Sequence, residues 1–240
     1  MVKGLADCAN SLYSKMKDVS ITANNLANVN TVGYKRELPL FEYMLRNANN
    51  ELDSKKQLTD FAEGSFIQTG NRFDLAIQGD GFFVIETERG KELTRNGKFR
   101  VTEEGDVVTQ DGNKLMGKSG SINIYEGVLE KDRNNITISE DGEIKAGEFE
   151  LNKILIVKTE EDADLQRTEG QNFYSEDQDY VTAEEGEFQV RQGFLEEANI
   201  NPVLELQNLI QTSKDSEAIQ KLIGSIDTLM GYASKDVGKV

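Results

Sequence analysis

Apolar or small residues recur at Val2, Leu5, Ala9, Leu12, Met16, Val19, Ala23 and Leu26, in alternating steps of three and four. That spacing is the seam of a coiled-coil helix, sustained here through almost four heptads. No proline interrupts it and Gly4 is its one glycine, so the spacing predicts a single helix of about seven turns. The helix should stop between Leu26 and Gly33, where Asn24, Asn25, Asn28 and Asn30 tolerate the left-handed backbone of a helix terminus.

A helix with such a stripe needs a partner, because it cannot bury its own apolar side. The far end of the chain offers one. Asn199 and Asn201 precede Pro202, which suits a first helical turn, and Val203, Leu206, Leu209 and Ile210 open an apolar series. The rhythm returns at Ile219, Ile223, Ile226, Met230, Ala233 and Val237, whereas the mostly polar Gln211–Gln220 is expected to shift the stripe.

Between the two helices lie short β-prone runs: Phe82–Ile85, Val107–Thr109, Ile122–Ile124, Ile136–Ile138 and Ile154–Val157. Turn dipeptides separate them at Asp80-Gly81, Asn96-Gly97, Asp111-Gly112 and Asp141-Gly142. The expected fold is therefore mainly β with terminal α-helices. Residues 1–36 form an N-terminal helix, 37–60 a linker, 61–198 an all-β middle domain and 199–240 a C-terminal helix.

Charge follows the same division. The chain carries a formal −16, yet residues 1–50 and 201–240 are close to neutral. The middle holds the solvating charge and the ends are free to pack. So acidic a chain does not suit nucleic acid or an anionic membrane surface, both of which select Lys and Arg. Cys8 is the single cysteine, so no internal disulfide forms. There is no apolar run of secretory or membrane-spanning length.

Candidate chemistry is sparse. Gly112–Ser119 fits the phosphate-loop pattern, which would make the protein a nucleotide binder, but strand-like residues follow where a helix N-terminus is required. The absence of histidine removes the commonest general base and every Ser/His or Cys/His couple. One cysteine cannot build a thiolate zinc cage, and Asp141-Gly142 lacks the preceding oxygen ligands of a calcium loop. The pairs Glu103-Glu104 and Glu160-Glu161 read as solvated surface, and Asn135-Ile136-Thr137 as a turn entering a strand. No catalytic residue, cofactor or metal is expected. A β-domain binding or adhesion module is the other alternative.

Four blocks carry a resemblance. Ala23–Arg36, with its Asn24-Asn25-Leu26-Ala27-Asn28 core, Gly79–Ile85, Leu93–Phe99 and Gln192–Val203 resemble, in the same order, the signatures of the flagellar rod and hook family. The blocks together resemble the two rod proteins of this length class, and the compact single middle domain is more similar to the proximal rod member than to the distal one. The resemblance implies that the terminal helices pair as a coiled coil, stack into an axial tube and hold a β domain outward. It also implies self-assembly with other rod and hook axial proteins, residence in the flagellar basal body and passage through the flagellar type III export apparatus. The assembly interface expected on this basis comprises Leu5, Leu12, Met16, Val19, Asn24, Asn25, Leu26, Asn28, Asn30, Leu209, Ile219, Ile223, Ile226 and Met230. The middle of the second helix departs from the family's pattern, which has an aromatic residue near Ser216 and an Asn near Ile219.

Overall fold

The computed structural model describes residues 2–39, 59–126, 128, 135–159, 165–168, 171–175 and 180–237. Of the linker expected at 37–60, residues 40–58 lie outside that set, as does Glu160-Glu161. The chain divides into two compact units, one built from its two ends (Met1–Val29, Glu37–Glu51 and Ile200–Val240) and one from Asn30–Arg36 with Leu52–Asn199.

The end unit pairs α1 (Val2–Ala27) with α2 (Pro202–Val237). Helix α1 stops where the Asn28 amide folds back onto the Asn24 and Asn25 carbonyls, each at 3.1 Å, and the Asn28 side chain also donates to Asn24 O at 2.9 Å. Helix α2 starts at an N-cap: Asn201 Oδ1 accepts the Val203 and Leu204 amides at 3.1 and 3.3 Å, with Pro202 in the first turn.

The other unit is all β. Its strands are β1 (Phe66–Gln68), β2 (Leu75–Gly79), β3 (Phe82–Thr87), β4 (Gly90–Thr94), β5 (Arg100–Val101), β6 (Val107–Val108), β7 (Lys114–Gly117), β8 (Gly120–Ser121) and β9 (Ile136–Ile138). There follow β10 (Glu143–Ala146), β11 (Phe149–Lys153), β12 (Ile156–Thr159), β13 (Leu165–Arg167), β14 (Asn172–Ser175), β15 (Tyr180–Thr182), β16 (Phe188–Gln192) and β17 (Phe194–Glu196). The main sheet runs β13-β14-β4-β3-β7-β6-β5, with β12 also pairing β3; β16-β2, β1-β17 and β11-β10-β9 make smaller sheets.

Strand β3 is the centre. Phe83 and Ile85 enter one core with Leu75, Phe99, Leu115 and Ile154, while Phe82 and Val84 enter a second with Leu93, Val157 and Phe173. A strand buried on both faces must be apolar at consecutive positions, which is why Phe82-Phe83-Val84-Ile85 shows no alternation. Phe61, Phe82 and Phe173 meet edge to face at 5.3–5.9 Å.

One expected strand does not form. Ile122-Asn123-Ile124 bridges Asp106 through Asn123 and makes single backbone bonds with Leu115, Val107 and Gly105, without forming a strand of its own. Asn123 Oδ1 accepts the Tyr125 and Glu126 amides at 2.9 and 3.0 Å, a local turn that ends the run, while its Nδ2 donates across to Glu104 O (2.9 Å) and Asp106 Oδ1 (2.8 Å) and both isoleucines still reach the core.

Candidate assembly site

Along α1 a half-buried or buried row runs through Cys8, Leu12, Lys15, Val19, Thr22 and Leu26 in steps of four and three, and Asp18, Ile21 and Asn25 beside it are covered as well. Along α2 a row through Glu205, Leu209, Thr212, Ser216, Ile219, Ile223 and Ile226 again runs four and three without a break, with Ser213 and Asp215 half-buried beside it. The expected shift of the stripe across Gln211–Gln220 is thus absent. Ser216 Oγ donates to Thr212 O at 2.9 Å, as Thr22 Oγ1 on α1 does to Asp18 O at 2.8 Å. A hydroxyl satisfied by its own helix can sit on a covered face with little penalty, so the polar middle keeps the seam.

The α1 seam is split by the structure. Leu12, Val19 and Leu26 lie on the covered row, but Ala9, Met16 and Ala23 belong to a second heptad row, Ala6, Ala9, Tyr13, Met16, Ser20, Ala23 and Ala27, that is exposed throughout. On it Met16 is 57% and Tyr13 75% exposed. Helix α2 also keeps apolar side chains in water. Leu204, Leu222 and Leu229 fall within about 20° of one another at ~100° per residue, and Leu222 and Leu229 are 57% and 66% exposed. Val203, Leu206 and Ile210 form a further exposed group.

Apart from Asn25 and Asn28, the expected interface residues fall into three groups. Leu12, Val19, Leu26, Leu209, Ile219, Ile223 and Ile226 are half-buried on the covered rows; Met16, Asn24 and Asn30 are exposed; the side chains of Leu5 and Met230 lie outside the described residues. Asn25 is fully buried and makes a reciprocal pair with the Glu37 backbone, Nδ2 to O at 2.8 Å and Oδ1 from N at 2.9 Å. Half-buried Asn28 serves the helix cap. Sequence reasoning passed over Tyr13, Leu222 and Leu229; the signal for the first was a second three-four rhythm sharing Ala9, Met16 and Ala23 with the seam.

In the β unit the segment Gly33–Arg36 is held by a buried ion cluster. Lys35 Nζ lies 2.7 Å from Glu196 Oε1 and 2.8 Å from Ala62 O, and Arg95 Nη1 lies 3.4 Å from Glu196 Oε2. Lys35 and Glu196 are each about 1% exposed and Arg95 3%. Burial lowers the Lys35 amine from the ordinary lysine range and Arg95 adds to this, against the opposing pull of Glu196. Arg167 lies over the Tyr34 ring at 4.4 Å and donates to Lys35 O.

The Gly112–Ser119 pattern is strand β7 with a turn at each end. Strand β7 and then β8 follow Gly112, and Lys114 Nζ is paired with Asp106 at 2.7 Å. Among the described residues strand β8, not a helix N-terminus, follows the loop, which is not the phosphate-binding geometry. Among the described residues no group of three or more His, Cys, Asp or Glu side chains is placed to hold a metal ion, and no helix is long and apolar enough to cross a membrane.

Three family models match the chain in order. The flagella basal body rod protein model covers residues 17–35, the flagellar hook protein FlgE/F/G D1 domain model 76–146, and the flagellar basal body rod FlgEFG protein C-terminal model 191–235. The basal-body rod protein FlgF of Caulobacter vibrioides is 28% identical over 233 residues, 93% of each chain. FlgF of Mesorhizobium japonicum is 28% identical over 90% of each, and the rod protein FlgG of Agrobacterium fabrum 27% identical over 98% of this chain and all of its own. The chain is a flagellar rod protein of the FlgF/FlgG type. For a rod protein the matched blocks have clear places: the latter part of α1 with Gly33–Lys35, strands β2–β10, and the run from β16 through α2.

Proposed function

We propose that this rod protein is a self-assembling structural subunit of the flagellar basal-body rod, whose open helix faces are covered by neighbouring copies and by other axial proteins of the rod and hook. The observation that carries this is the exposure of Tyr13 and Met16 on α1 and of Leu204, Leu222 and Leu229 on α2 although the two helices are already paired. Such apolar rows on paired helices are surfaces awaiting a partner. The α1 face is dominated by small residues and the α2 face by large ones, so a contact joining them is heterologous and propagates along an axis instead of closing a dimer. The interface proposed between subunits comprises Tyr13 and Met16 on α1 and Leu204, Leu222 and Leu229 on α2, with Asn24 and Asn30 at the end of α1, while Leu12, Val19, Leu26, Leu209, Ile219, Ile223 and Ile226 on the covered rows join the two helices of one chain.

In this role the protein transmits torque and supports motility; it acts mechanically, with neither catalysis nor a cofactor. It resides in the flagellar basal body and reaches it through the flagellar type III system. Its place is the proximal rod. Support for that lies in alignment length: 233 residues suffice against the Caulobacter FlgF, whereas the Agrobacterium FlgG alignment runs to 270, beyond the 240 residues of this chain.

Quantitative mass spectrometry of purified hook–basal bodies tests the proposal. Peptides of this chain should appear in constant ratio to the other axial proteins. Absence from intact basal bodies, with the protein present in the cell, would overturn it.

A further inference from the structure

We infer that the buried Lys35–Glu196–Arg95 cluster is a latch that makes docking of the segment after α1 wait for the last strand of the β unit, so that the two crossings into the helices are aligned only in a completed chain. Glu196 is the hub. Its Oε1 accepts Lys35 Nζ and the Gly64 amide (2.9 Å), its Oε2 faces Arg95, and its carbonyl accepts the Gly33 amide (2.8 Å). The side-chain contacts span 161, 132 and 101 residues of sequence, so none can form locally.

Charge enforces the order. The cluster buries two cations, Lys35 and Arg95, around one carboxylate. Before residue 196 is in place, docking Lys35 would bury it beside Arg95 with no anion from this cluster, and an uncompensated buried charge opposes the docked state strongly. Shape enforces it as well. Gly33 has φ +69, and a Cβ there would fall 2.4 Å from the Arg95 carbonyl carbon; a Cβ on Gly64 would fall 2.0 Å from Glu197 O. These backbones approach too closely for a side chain, so the strap seats only on the finished surface.

Asn199 then locks the arrangement. Its Oδ1 accepts the Arg36 amide at 2.7 Å and its Nδ2 donates to Asp60 O and Ala62 O at 2.8 and 2.9 Å. The crossing out of α1 and the crossing toward α2 are thereby tied side by side. The blocks that carry the family resemblance, Gly33-Tyr34-Lys35 and Phe194-Leu195-Glu196, are spent on this internal closure.

Amide exchange on the full chain tests the latch through Glu196→Gln, Lys35→Met and their combination. In Glu196→Gln the amides of Gly33, Arg36, Asp60 and Gly64 should exchange at least tenfold faster, with the β3 and β4 ladder amides unchanged. Adding Lys35→Met removes one uncompensated cation and should restore most of the protection. No acceleration, equal acceleration throughout the β unit, or no rescue would each overturn the inference. Pulse-labelled refolding of the unaltered chain gives a second test that does not depend on a variant folding. The Gly33, Arg36 and Gly64 amides should gain protection after those of β3 and β4; simultaneous or earlier protection would overturn the order.

Discussion

Replacing Leu222 on the open face of α2 separates assembly from folding. Burying a whole leucine side chain stabilises by about 1.5–3 kcal/mol. Leu222 keeps 57% of its surface in water in the monomer, so roughly 1–1.7 kcal/mol remains to be gained at a subunit contact. Leu222→Ala forfeits most of that and should raise the critical concentration for polymerisation about fivefold to fifteenfold, at ~1.4 kcal/mol per tenfold. Leu222→Asp adds desolvation of a carboxylate, a further several kcal/mol, and should abolish polymerisation over any accessible range. Neither change touches a covered position, so the monomer should unfold within about 0.5 kcal/mol of the parent chain. Sedimentation velocity over a concentration series gives the first quantity and urea titration the second. A Leu222→Asp chain that polymerises like the parent would refute the assignment of this face. Ile226→Asp is the contrast: it lies half-buried on the covered row, so it should loosen the helix pair of the monomer as well as block assembly.

Three further outcomes follow from particular contacts. Asn25→Ala removes both bonds to the Glu37 backbone from a fully buried site and should cost about 1–3 kcal/mol in chemical denaturation; a loss below the error of the titration would contradict the pairing. Because burial holds the Lys35 amine below the ordinary 10.5, the unfolded chain keeps that proton more tightly, and this residue makes stability rise as pH climbs from the lowered value toward 10.5. Lys35→Met should flatten that alkaline rise in urea midpoints, and an unchanged slope would show that Lys35 is not responsible. ATP with Mg²⁺ should leave the melting temperature of the full chain where it was, since a ligand of the folded state alone must raise it; a clear upward shift would revive Gly112–Ser119 as a binding loop.

Much of the architecture was legible before any fold was seen. The two helices appear where the three-four rhythm and the Asn and Pro signals place them, because capping and periodicity are properties of neighbouring residues. Phe82–Ile85 and Ile136–Ile138 are strands as their composition suggests. What periodicity could not settle is which of two interleaved heptad rows on α1 is covered. Rows through Leu12 and through Met16 are equally regular in sequence, and the choice belongs to the partner helix, almost two hundred residues away. The same distance hid the ion cluster: Lys35 and Glu196 read as two more surface charges in a chain with 70 of them. Local sequence determined the pieces and their ends, since those depend on contacts a few residues apart; the covered faces, the fate of Asn25 and the buried Lys35–Glu196 pair were decided by tertiary structure, since each depends on a group contributed from a distant part of the chain or after a chain reversal.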